Sequence, residues 1–190
     1  MSYNPNLHHR RSLRLKNYDY SQAGAYFLTI CAYKHQTLFG KIIDGKMQLN
    51  QLGEVLAEEW ERSAQIRQEI DLDYSVIMPN HLHGIVIINN LGTNKHVGVN
   101  GRSPSGNALR MKSHSISSLM TGFKSAVTKR INRIRYHGEQ LTAPAPVWQR
   151  NYYEHIIRDE TSLNQHRQYI IENPLKWESD KLHPNNSSKW

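Results

Sequence analysis

The sequence predicts an α+β fold, and three observations carry that expectation. Short runs rich in β-branched and aromatic residues recur along the chain. Two longer stretches place apolar residues at threes and fours, and Pro79-Asn80 joins two strand-like runs by a turn short enough for an antiparallel hairpin. At 190 residues the chain suffices for one domain with a substantial core.

Taken in order, residues 1–22 are polar and basic and read as an N-terminal arm. The segment 23–178 is expected to form the domain, with 179–190 as a polar C-terminal tail. Ala25–Ala32 is a first strand by composition. Gly40–Leu49 carries Asp44-Gly45 between two short apolar pieces, a hairpin signal. From Asn50, a plausible N-cap, Leu52, Val55, Leu56, Trp60 and Ile66 follow helical spacing to about Gln68. Ile70–Ile77 and the run from His81 to Ile88 are the strands of the Pro-Asn hairpin. Residues from about 90 to 112 lose periodicity in favour of Asn, Gly, Ser and Pro, which predicts a mobile loop. Ile116, Leu119, Met120, Phe123, Val127, Ile131 and Ile134 mark an amphipathic helix. After Ala143-Pro144-Ala145-Pro146 a short strand is expected near Val147 or Ile156, then a helix from about Thr161, whose hydroxyl can cap it, to Glu172, with Pro174 stopping it. The order strand, helix, strand, strand, helix, strand, with an added helix, suggests a ferredoxin-like antiparallel sheet with helices packed on one face.

Within this plan His81 and His83 stand two apart at the start of a strand and so share a face. Leu82, Val86 and Ile88 alternate with Ile85 and Ile87, so the strand should be buried on both faces and central in its sheet. Two imidazoles begin a metal site but do not complete one. Tyr169 and Asn173 lie four apart, on one helical face. If that face covers the hairpin, Asn173 offers an amide oxygen as a third ligand without adding negative charge, and Tyr169 places a phenol beside it. The bare spacing also fits a buried tyrosine ring and a helix cap before Pro174.

Lys and Arg number 24 against 16 acidic residues, a net charge of +8 that suits a polyanionic partner. The basic residues cluster at Arg10, Arg11, Arg14 and Lys16, and again at Lys124, Lys129, Arg130, Arg133 and Arg135. Cys31 is the only cysteine, which excludes an internal disulfide and a zinc site built from thiolates. No apolar run is long enough to cross a bilayer and no secretory signal is evident, so a cytoplasmic protein without membrane contact is expected.

His81-Leu82-His83 directly after Met78-Pro79-Asn80, the segment Trp148–Arg158, and Tyr169-Ile170-Ile171-Glu172-Asn173-Pro174 together resemble the single-tyrosine HUH transposases, the REP-associated tyrosine transposases most of all. The resemblance spans roughly Arg11 to Trp177. It implies that His81 and His83 bind Mg²⁺ or Mn²⁺, that Asn173 is a third ligand, and that Tyr169 is the nucleophile. It further implies single-stranded DNA flanking hairpins as substrate, cut to leave a 5′-phosphotyrosine and a free 3′-OH, by a monomer or homodimer. Related insertion-sequence enzymes often carry Gln where this chain has Asn173. Arg10, Arg11, Arg14, Lys16, Lys124, Arg130, Trp148, Arg150 and His155 are the expected DNA contacts, Trp148 and His155 fitting a core ring and a ligand-supporting histidine equally well. The alternatives are a domesticated hairpin-DNA-binding protein and a ferredoxin-like RNA- or DNA-binding module without catalysis.

Overall fold

The computed structural model describes residues 18–89, 114–137 and 145–186. Most of the basic arm, with Arg10, Arg11, Arg14 and Lys16, and the whole of the predicted loop at about 90–112 lie outside the described residues.

Among the described residues six strands and three α-helices follow in the order β1 (Gly24–Cys31), β2 (Gly40–Ile43), β3 (Lys46–Leu49), α1 (Gln51–Ile66), β4 (Ile70–Met78), β5 (His81–Ile88), α2 (Ile116–Arg135), β6 (Tyr153–Ile157) and α3 (Glu160–Glu172). The main sheet runs β4-β5-β1-β6, antiparallel throughout, which is the ferredoxin-like arrangement the element order predicts. β5 occupies a central position, as its two-sided apolar pattern requires. β2 and β3 form a separate ribbon. Its turn holds Asp44 and Gly45 at φ of 49° and 70°, where Gly is the natural residue, and a Cβ on Gly45 would also strike the Leu175 side chain at 2.5 Å.

The sheet separates two apolar clusters. One face, with Leu28, Ile30, Leu82 and Val86, packs against Leu56 and Trp60 of α1 and Leu119, Phe123 and Val127 of α2. The other gathers Phe27, Ile85, Ile157 and Ile170 of α3 into a smaller cluster. α3 is further tied to β4 by Arg167 Nε donating to Asp73 Oδ2 at 2.8 Å. Helix entries are capped by side chains, since Asn50 Oδ1 accepts from the Leu52 and Gly53 amides at 2.9 and 3.0 Å. α2 has a reciprocal box between Ser115 and Ser118. At α3 the cap is Asp159, accepting from the Ser162 amide at 2.7 Å, rather than Thr161 as the sequence suggests. A carboxylate there also faces the positive end of the helix, which a threonine hydroxyl cannot match. The short strand settles at Tyr153–Ile157, while Trp148 makes only an isolated bridge with Ala32.

Gly84, directly after the second histidine, is set by packing. A Cβ there would lie 2.4 Å from the Trp60 ring. Gly84→Val is therefore expected to destabilise the fold by about 1–3 kcal/mol through overpacking, seen as a lower urea midpoint with unchanged slope. An unchanged midpoint would contradict the seating of Trp60 on β5.

Candidate metal centre and tyrosine

The β4–β5 turn places His81 and His83 on the α3 face with 0% and 2% exposure, their ring centroids 4.4 Å apart. Each ring is oriented through Nδ1. Asn80 Oδ1, which can only accept, takes the His81 Nδ1 proton at 2.7 Å, and Thr29 Oγ1 stands 2.8 Å from His83 Nδ1. At His81 that tautomer leaves the Nε2 lone pair free, the usual way a protein presents an imidazole ligand. His81 Nε2 finds no hydrogen-bond partner, although it lies 3.9 Å from Asp180 Oδ2. Burial holds the His81 pKa well below the ordinary value, with His83 and His35 adding to the effect and Asn173 opposing it. Burial takes His83 to about 3. Both rings are therefore neutral, as ligands must be.

α3 delivers the rest. Ile170 anchors the helix in the smaller cluster, and the preceding Tyr169 points its hydroxyl to 3.2 Å from His83 Nε2, with 44% of the residue exposed. Its ring meets His83 and Phe27 edge-on at 5.1 and 5.9 Å. Burial first, and the Asp180 carboxylate second, raise the phenol pKa, with Asn173 pulling the other way. Asn173 caps α3 and is 2% exposed, and its Oδ1 is a second buried acceptor without a donor. A 3-10 segment, Asn173–Ser179, then leads to Asp180 at the histidines. The ligand atoms of His81, His83 and Asp180 lie within 4.8 Å of one another.

These donors fit a divalent cation. Two neutral imidazoles and a carboxylate converge, the orphaned amide oxygen of Asn173 belongs to a residue that acts on both His81 and Tyr169, and a cation answers acceptors that lack donors. Asp180 is the member that sequence reasoning misses, and it corrects the expectation of a centre free of protein negative charge. It stands alone in a polar stretch, with no spacing that relates it to the histidines. Asn80 is a second omission, being legible only as a turn residue. It is fully buried and spends its amide hydrogens on the His35 and Leu182 carbonyls at 3.1 and 2.7 Å, joining the tail to the hairpin. Asn80→Ala is expected to weaken Mn²⁺ binding by about 10–100-fold, because the His81 ring loses its orienting acceptor. Titration followed by electron paramagnetic resonance reads this, and unchanged affinity would contradict it.

The centre opens on a cleft of about 760 Å³ whose walls include Phe27, His83, Tyr153, His166, Tyr169, Asn173 and Asp180. The other expected contacts divide. Arg150 and His155 are exposed. Trp148 is instead a core ring, 8% exposed, with Phe39 and Phe123 at 5.4 and 6.1 Å. Lys124 is engaged internally by the carbonyl oxygens of Gln149, Arg150 and Asn151 at 2.6, 3.5 and 3.3 Å, and burial lowers its pKa to about 8. Arg130 pairs with Glu58 and Glu59 of α1. These last two cations thus hold elements together, a use that the helical spacing does not reveal. Among the described residues no helix is long and apolar enough to cross a membrane.

No family model matches the chain. A REP-associated tyrosine transposase bound to a REP hairpin shares the fold, with a TM-score of 0.54 and 19% identity, over 86% of this chain and 74% of that one. An uncharacterized protein of Haemophilus influenzae is 44% identical over 184 residues, 95% of this chain and 97% of its own length. With that identity sustained along almost the whole of both sequences, the protein belongs to the same family as the Haemophilus influenzae protein.

Proposed function

We propose that the protein is a metal-dependent single-stranded DNA endonuclease and strand transferase, a transposase acting next to hairpins through a phosphotyrosine link. The observation that carries this reading is the phenol of Tyr169 beside His83 Nε2 on an open cleft, adjoining buried acceptors suited to a cation. His81 and His83 would hold Mg²⁺ or Mn²⁺ with Asp180 and Asn173. When bound, the ion supplies Lewis-acid polarisation of a phosphodiester oxygen. Tyr169 supplies the nucleophile: its oxygen bonds to phosphorus as the bond to the 3′-oxygen breaks, the phenol proton is released, and the departing oxygen takes up a proton to become a 3′-OH. The link conserves the phosphodiester for rejoining without ATP. Phenolate, with a reference pKa near 10, is a far better leaving group than a sugar alkoxide when the step reverses.

Support also comes from the shared fold of the REP-associated transposase and from the net charge of +8. The test is incubation with end-labelled hairpin-bearing single-stranded DNA and Mn²⁺, followed by a denaturing gel. A covalent protein–DNA species with release of a 3′-OH strand is expected. Binding without covalent species or cleavage would overturn the enzymatic reading.

A further inference from the structure

At the cleft stands a second set of rings that the cleavage step does not use: Tyr153 lines it, and His155 stacks on His166, which also lines it. Tyr153 and His155 are two apart on β6 and project from one face. Pairing registers place Tyr153 opposite Thr29 and Thr29 opposite His83, so one cross-strand row leads from the metal centre to Tyr153. Two strand spacings separate them, about 10 Å. In the next row His155 lies opposite Phe27.

β6 is an edge strand, and both rings are open to solvent, Tyr153 at 43% exposure. His155 is backed by a fixed column. Its ring stacks on His166 at 5.1 Å and 22°, His166 packs on Phe27 at 4.7 Å, and His166 Nδ1 donates to the Ser162 carbonyl at 2.7 Å. Burial, then His166 and Arg158, lower the His155 pKa, so the ring is neutral near pH 7. Exposed apolar residues scattered singly need no explanation. These two share a strand face beside the nucleophile's cleft, Arg158 is near enough to act on the His155 ring, and Arg150 and Arg158 are both exposed.

We propose that Tyr153 and His155 form a stacking platform for unpaired nucleobases of the single strand that leads to Tyr169, with Arg150 and Arg158 beside its phosphates. Every base has a π-face, so the platform orders a strand without reading its sequence, and the edge position lets the backbone run off the sheet. This rests on the reading of the chain as a single-stranded DNA enzyme.

The experiment uses the full chain in EDTA, where no cleavage occurs, and a fluorescein-labelled short single strand of mixed sequence, read by anisotropy. Tyr153→Ala and His155→Ala should each weaken binding by about 5- to 100-fold, the range for loss of one base stack. Tyr153→Phe and His155→Phe should restore it, and the salt slope should not change because no cation is removed. An abasic version of the strand should bind the wild type weakly and lose little more on Tyr153→Ala. Alanine variants that bind like wild type, phenylalanine variants that fail to restore, or an equal loss on the abasic strand would overturn the platform. The nuclease reading is scored separately, by adduct formation with the alanine variants at saturating DNA. A wild type that binds no single strand would overturn both.

Discussion

His81→Ala and His83→Ala are each expected to abolish strand cleavage and to weaken Mn²⁺ binding by more than about 100-fold, exceeding the effect of losing a ligand's hydrogen-bonding support. The reason is geometric. Both Nδ1 atoms are already engaged, so each ring has its Nε2 to offer the cation, and removing either ring deletes that ligand atom. Because both rings are buried, alanine also leaves a cavity, at a cost of about 2–5 kcal/mol. His81→Gln retains much of the volume and separates folding from ligation. Asp180→Asn should lower affinity less, since it keeps an oxygen and loses only the charge. Paramagnetic resonance of added Mn²⁺ checks affinity, and circular dichroism checks the fold. Either alanine variant cutting at the wild-type rate in Mg²⁺ would contradict the metal assignment.

Tyr169→Phe removes one oxygen and leaves the ring that meets His83 and Phe27. The lost hydrogen bond to His83 is worth about 1 kcal/mol, so the melting temperature should move little and hairpin DNA should still bind. Catalysis should fall on the order of a thousandfold or more, as expected when a nucleophile is deleted. Tyr152→Phe and Tyr153→Phe should each retain the adduct, because the hydroxyl that stands 3.2 Å from His83 Nε2 is that of Tyr169. A Tyr169→Phe protein that cleaves normally would remove the tyrosine from the chemistry.

Much of the fold is legible in the sequence because local rules and tertiary packing agree along most of it. The two-sided apolar pattern of Leu82–Ile88 requires a central strand, and β5 is central. Asn50 and Asp44-Gly45 carry their cap and turn in their own chemistry. Residues in contact across the chain are less legible. Asp180 reaches the histidines through the 3-10 segment after α3, and no periodicity marks it. Lys124 and Arg130 look like a solvated basic face until α1 and the Gln149–Asn151 carbonyls are seen beside them. Trp148 is legible as a ring with two uses, and the packing of Phe39 and Phe123 decides for the core. Of the tyrosine site itself, the sequence shows the i, i+4 spacing of Tyr169 and Asn173 but not the sheet face beneath α3.

The most direct test of the central claim is peptide mapping of the covalent species trapped from hairpin-bearing single-stranded DNA and Mn²⁺. After nuclease digestion, mass spectrometry should find the nucleotide remnant on Tyr169. A remnant on Tyr152, Tyr153 or any other residue would contradict the account, even with the fold and the metal centre intact.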